Sequence, residues 1–269
     1  MSKTILITGA SSGLGKATAI LFSENGWDVI AAMRKPEEEK DLLRYSNIEL
    51  IKLDVTNVNE IQKAAEQVIL KAKLDVVFNN AGYGLVGPLE GTSDEQVINE
   101  INTNLLGVIR VTKAFIPFFR KQGKGLFITT TSIGGLAAFP FNSVYHATKW
   151  ALEGWSESMA FELEEFGIGI KTVSPGGIKT DFAGRSLQFA QHEAYAGSIG
   201  KVMKAFGDPA RAENYSTAEQ IAGVVFEAAT DGKKQLRYIA GKDAKILYAK
   251  RLEVGDEEFR AQIKTSFLE

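Results

Sequence analysis

Seven short apolar runs, separated by longer stretches of helical character, constrain this chain more than any other feature. They are TILIT (4–8), DVIAAM (28–33), IELIKL (48–53), LDVVF (74–78), GLFITT (125–130), IGIKTVS (168–174) and LRYIA (236–240). They are β-rich or continuously apolar, as strands covered on both faces should be. Between them, residues 13–25, 57–72, 94–122, 143–166 and 217–230 have helix length. Strands alternating with helices imply right-handed crossovers, which predicts an α/β fold: a doubly wound parallel sheet of about seven strands. With 269 residues, 45% of them hydrophobic, the chain can bury one large core, and one domain over 1–269 is expected. Residues 181–216 break the rhythm between a strand and a helix. Long excursions at the C-terminal ends of such strands usually cover a ligand, so a substrate lid is expected there.

The formal net charge of -2 gives no electrostatic reason to expect nucleic acid or anionic lipid. There is no cysteine, which excludes disulfides and thiolate metal sites, and the two histidines, His146 and His192, are too few for a His-rich one. No metal is expected. No run approaches the roughly 18 apolar residues of a membrane span, and TILITG after Lys3 is too short for a secretory segment. A cytoplasmic protein without a membrane partner is the expectation.

TGASSGLGKA (8–17) follows the first run directly. A Walker loop fails here, because five residues separate Gly9 from Gly15 and Lys16 is followed by Ala17. Strict GxGxxG fails too, since Thr18 takes the third position. The spacing present is Gly9-x3-Gly13-x-Gly15. Glycines let the backbone turn tightly and approach a pyrophosphate, whose charge meets free N–H groups at a helix N-terminus. An ordinary strand-to-helix turn could use the same residues.

Tyr145 and Lys149 are four apart, so a helix projects both from one face. Lowering a tyrosine pKa from near 10 by about three units takes roughly 4 kcal/mol of preference for the phenolate. A nearby ammonium is a suitable source. Ser132 ends the fifth run, where an open sheet presents groups to ligand, and its hydroxyl can stabilise a developing alkoxide. Gly134 and Gly135 argue for close ligand approach there rather than for capping.

Read together, TGASSGLG (8–15), NNAG (79–82), NTNLLG (102–107), Ser132 with YHATK (145–149), and SPGGIKT (174–180) resemble the short-chain dehydrogenase/reductase family in its single-domain, Rossmann-type form. The resemblance covers roughly residues 3 to 240, and two stretches are similar to its 17β-hydroxysteroid dehydrogenase-like subgroup. It implies hydride transfer between NADP(H) and a small-molecule carbonyl or alcohol, with Asn104, Ser132, Tyr145 and Lys149 catalytic. Tyr145 would be the acid/base, Lys149 would hold the nicotinamide ribose, and Asn104 would hold a water linking Lys149 to solvent. Asn102 is the rival for that last role. Cofactor contacts would come from Gly9, Ser11, Ser12, Gly13, Leu14, Gly15, Arg34, Asp54, Val55, Asn80, Ala81, Gly82, Tyr145, Lys149, Pro175, Gly176, Ile178 and Thr180. Asn79 would line the adenosine-ribose side and Gly82 would leave room for the cofactor. Asp54 would touch adenine, or else cap the helix that starts near Thr56. A catalytically silent NAD(P)-sensing protein on the same fold is the alternative.

The second run ends in Met33, where NAD-preferring relatives carry an acid, and Arg34 and Lys35 follow, suited to a 2′-phosphate. Ser12 dissents, since NADP-type relatives often have a basic residue there. NADP is favoured and NAD stays open. Phe182, Leu187, Phe189, Tyr195, Val202, Met203 and Phe206 in the lid, with Phe139 and Phe141, suggest an apolar pocket or simply a packed lid. His192 and Arg185 are polar candidates beside it. On the helix at 143–166, Thr148, Leu152, Trp155, Met159 and Leu163 form a stripe for the sheet. Trp150, Gly154, Ser158 and Phe161 form a second, nearly opposite one. A helix apolar on two sides is buried on two sides, so a homodimer or homotetramer is expected.

Overall fold

The computed structural model describes residues 2–71, 73–179 and 186–269. Thr180, Phe182 and Arg185 lie outside the described residues. The strands are β1 (Thr4–Thr8), β2 (Asp28–Met33), β3 (Ile48–Lys52), β4 (Val76–Asn79), β5 (Gly84–Val86), β6 (Gly125–Thr130), β7 (Ile168–Pro175), β8 (Ile178–Lys179), β9 (Leu187–Phe189), β10 (Ser216–Thr217) and β11 (Arg237–Ala240). Seven of them form one sheet in the order β11-β7-β6-β4-β1-β2-β3, every pair parallel. The seven apolar runs of the sequence are these seven strands. The order reverses between β1 and β4, and a crevice opens outside the carboxyl ends at such a point.

The helices are α1 (Gly13–Glu24), α2 (Val58–Lys71), α3 (Asp94–Ile101), α4 (Gly107–Gln122), α5 (Ser143–Glu164), α6 (Ala196–Phe206), α7 (Pro209–Ala212), α8 (Ala218–Thr230), α9 (Lys242–Val254) and α10 (Asp256–Leu268). Phe22, Ile221 and Val225 of α1 and α8 pack on one face of the sheet. Ile61, Val111, Phe115, Phe119 and Leu163 of α2, α4 and α5 pack on the other.

Three features depart from the sequence expectations. The helix expected over 94–122 is broken by a π-helical turn at Asn102–Leu106. Residues 242–268, for which the sequence analysis names no element, form α9 and α10. Phe259, Ile263 and Phe267 of α10 share a buried cluster with Val202 and Phe206 of the lid and with Phe139. Packing is therefore what those lid aromatics do, whereas Phe189 and Met203 stay exposed. The segment expected to be a lid is flanked by two parallel pairings, β5 with β9 and β10 with β8.

On α5, Thr148, Leu152 and Leu163 are buried, and Trp155 and Met159 pack against the sheet side. Of the second stripe, Phe161 is 75% and Trp150 41% exposed. Trp150 is partly covered by the Arg251 guanidinium of α9, 4.9 Å from its ring centre. Glu153 anchors α5 to the sheet. It accepts hydrogen bonds from Thr131 Oγ1 (2.6 Å) and Ser174 Oγ (2.9 Å) and pairs with Arg237 Nε (2.8 Å).

Candidate active site

The glycine turn joins β1 to α1 at the reversal of strand order. Gly9 (φ 67°) and Gly13 (φ 51°) take the left-handed conformation that side chains disfavour. A Cβ on Gly9 would lie 2.8 Å from Ala81 Cα, and one on Gly15 would lie 2.3 Å from Gly9 O and 2.6 Å from Asn80 Nδ2. The turn is thus clamped onto the end of β4. Asn80 Nδ2 donates to Thr8 O (3.2 Å) and Gly9 O (3.3 Å), and Thr130 Oγ1 donates to Asn80 Oδ1 (3.2 Å). One side chain ties β1, β4 and β6. Ser12 occupies the N-cap of α1 without a side-chain cap hydrogen bond, and Ser11 and Gly13 are exposed beside it. Leu14 is buried, so its backbone N–H is what it can offer a phosphate.

Several expectations change at this end. Asn79 is buried and donates to Thr112 Oγ1 (3.0 Å), so its side chain faces α4 and not an adenosine ribose. Met33 is 2% exposed in the core beneath α1, because a strand covered on both faces turns each side chain into packing. An acid at position 33 would be buried there. Arg34 is the exposed residue at the strand end, and among the described residues it has no ion-pair partner, whereas Lys35 pairs with Glu38. Asp54 does not cap α2. Its Oδ1 accepts from Thr56 N (2.9 Å) and Oγ1 (2.7 Å), while Asn57 accepts the first helical N–H groups. Val55 is buried against Gly107.

Ser132, at the end of β6, accepts from Gly134 N (2.9 Å), so it does cap a short turn. The glycines after it are explained by packing on α5. A Cβ on Gly134 would lie 2.9 Å from the His146 ring, and one on Gly135 2.8 Å from Lys149 O. Burial pushes the Tyr145 phenol up to about 12, the neighbouring Ser132 hydroxyl opposes that, and the Glu100 charge adds to it. The expected lowering is absent from the protein alone because burial outweighs the effect of Ser132. The Lys149 ammonium is turned to Thr130 O (3.0 Å), and burial brings it down to about 8.

The two asparagines differ in setting. Asn104 is fully buried in the π turn, whereas Asn102 is half-buried and accepts from Arg110. Asn104 Oδ1 accepts from Tyr83 N (3.0 Å), and its Nδ2 donates to Tyr83 O (2.7 Å) and Glu100 Oε1 (2.9 Å). A Cβ on Gly82 would lie 3.0 Å from Asn104 Oδ1 and 3.8 Å from Lys149 Nζ. The room left by Gly82 therefore belongs to these two side chains.

A tyrosine and lysine on one helix, a serine at a strand end and a buried asparagine thus converge beside an uncapped helix N-terminus. The family model for short chain dehydrogenase matches residues 3–190. The chain belongs to the short-chain dehydrogenase family. This dehydrogenase is similar to 3-ketodihydrosphingosine reductase of Bacteroides thetaiotaomicron, 40% identical over 204 residues that cover 74% of each chain. Among solved structures it is similar to a short-chain dehydrogenase from Streptomyces avermitilis, 32% identical with a TM-score of 0.85, over 98% of this chain and 96% of that one. It is also similar to ElxO with NADP bound, 29% identical with a TM-score of 0.75, over 89% of this chain and 98% of that one.

Two residues of this dehydrogenase escaped the sequence reading. Asp243, at the start of α9, accepts from Gly177 N (2.7 Å), and a Cβ on Gly176 would lie 2.2 Å from its Oδ2. It holds the loop after Pro175. Ile178 packs into the core beyond that loop. Glu100 is the second, a fully buried carboxyl at the C-terminal end of α3. An acid ending a helix gives no sign in sequence that it turns inward.

Proposed function

We propose that the protein is an NADP(H)-dependent carbonyl reductase or alcohol dehydrogenase. The observation that carries this is the convergence of Ser132, Tyr145, Lys149 and Asn104 at the carboxyl ends of the central strands, beside the uncapped start of α1. The glycine turn, Ser12 and the α1 N-terminus fit a pyrophosphate, and Arg34, free of acidic partners among the described residues, fits a 2′-phosphate. Asp54, Asn80, Ala81, Gly82, Pro175 and Gly176 border the remainder of the proposed cofactor groove. ElxO, with NADP in its structure, supports the choice of cofactor.

NADPH, when bound, supplies the hydride. Tyr145 donates its proton to the carbonyl oxygen, and Ser132 donates a hydrogen bond to the same oxygen. Lys149 holds the nicotinamide ribose and, with Asn104, restores the Tyr145 proton. The relative that is named a keto reductase supports a carbonyl substrate. A panel of ketones, aldehydes and alcohols with both cofactors, followed at the nicotinamide absorbance, tests this. NADPH-dependent reduction is expected, and a panel with no turnover would overturn the activity.

The exposed stripe on α5 is assigned to a homo-oligomer contact. Trp150→Glu would meet Arg251 and gain a partner, so Phe161→Glu is the sharper probe. Light scattering should find wild type larger than a monomer and the variant smaller. A monomeric wild type would remove the contact. No helix among the described residues is long and apolar enough to cross a membrane.

A further inference from the structure

Glu100 has no part in the steps above, yet it lies against them. Its side chain is fully buried. Oε1 accepts from Asn104 Nδ2 at 2.9 Å, while Oε2 and the nearby Tyr83 hydroxyl are buried with no hydrogen-bond partner among the described residues. The ionisable groups around it come from every side: Tyr83 from the turn before β5, and Tyr145 and Lys149 from α5, with Glu153 one turn beyond Lys149. A buried carboxyl with an orphaned oxygen costs free energy unless it stays protonated or does something for its neighbours.

We infer that Glu100 is a positioning residue of the catalytic centre, a carboxyl that fixes the Asn104 amide and whose proton sets how firmly Lys149 and Tyr145 hold theirs. The inference rests on the proposed reductase activity for its kinetic consequence, but not for its titration. Two effects follow from the geometry. First, Glu100 Oε1 takes an N–H of Nδ2 and so reinforces the orientation that the Tyr83 N–H and carbonyl give the Asn104 amide, with its oxygen toward Gly82 and Lys149. Second, the carboxyl changes charge within the working range. Burial pushes Glu100 up to about 8 and Lys149 down to about 8, and each charge opposes the shift of the other. Below that point Glu100 is neutral and exerts no field. Above it, the carboxylate favours the Lys149 ammonium and disfavours the Tyr145 phenolate, so both keep the protons that reduction needs as the solution becomes alkaline.

The test has a part that needs no cofactor and no variant. With glutamate labelled with carbon-13 at the side-chain carboxyl, nuclear magnetic resonance of the wild-type protein should find one glutamate titrating near pH 8, and Glu100→Gln should remove that signal. If every glutamate titrates in the ordinary carboxylate range, the inference is wrong. The second part is the pH profile of carbonyl reduction. Glu100→Gln keeps an acceptor for Asn104 but cannot ionise. It should move the alkaline limb of turnover about one unit toward neutrality. Glu100→Asp, which still ionises, should recover part of that limb. An equal loss at every pH, or superimposable alkaline limbs, would leave Glu100 purely structural. If wild type reduces no carbonyl, the proposed activity fails, and the labelled titration still decides the protonation of Glu100.

Discussion

The glycine turn and the proposed catalytic face meet at the carboxyl ends of the central strands but are built in opposite ways. The turn is held by backbone and by one neutral side chain. Gly9 and Gly15 lie too close to Ala81 and Asn80 for any Cβ, and Asn80 ties three strand ends. Its tolerance is steric. The catalytic face is made of ionisable side chains taken out of water, and burial moves the proton affinities of Glu100, Tyr145, His146 and Lys149. Its tolerance is electrostatic. A site for a cofactor present in every cycle can be fixed by shape, whereas a proton-transfer site has to respond to charge.

Substitutions on the two sides should therefore fail differently. The largest effect is expected for Tyr145→Phe, which removes the proton and almost no volume. Turnover should fall by roughly 10²–10⁴-fold with the NADPH dissociation constant unchanged. Retained turnover would place the acid elsewhere. Ser132→Ala should cost about 2.7–4 kcal/mol of transition-state stabilisation in kcat/KM if the hydroxyl acts as an oxyanion donor. A loss confined to melting temperature would make its cap on Gly134 the whole of its role. On the turn side, Arg34→Ala should weaken NADPH about ten- to a hundredfold and spare NADH, since a charge-assisted bond contributes roughly 1.5–3 kcal/mol. Equal losses for both cofactors would make Arg34 structural. The smallest effect is expected for Gly15→Ala. Its added methyl must displace Gly9 O or Asn80, at about 1–3 kcal/mol of unfolding free energy. Wild-type stability in denaturant would break the steric half of the comparison.

The seven strands, the glycine turn and the placing of Tyr145 and Lys149 on one helix were legible because each is local: a buried run, a spacing, a helical offset. What escaped depends on direction or on distant partners. A strand covered on both faces carries no alternation, so nothing in DVIAAM says that Met33 points inward and leaves the strand end to Arg34. The pairings of β5 with β9 and of β8 with β10 span two or three residues and join segments far apart in sequence. The purpose of Gly134 and Gly135 is visible only once α5 lies against them. The one missed signal with a local trace is α10, where Phe259, Ile263 and Phe267 recur every fourth residue among charged neighbours.

The π turn at Asn102–Leu106 acts as a phase slip. A π turn is a helix carrying one residue too many, and each residue is worth about 100° of rotation. Removing one residue there would let α3 and α4 run on as a single continuous helix. With α4 locked to the sheet through Val111, Phe115 and Phe119, the rotation would fall on α3 and carry Glu100 away from Asn104. The length of the chain between these helices is therefore as much a determinant of this centre as the identity of any side chain in it.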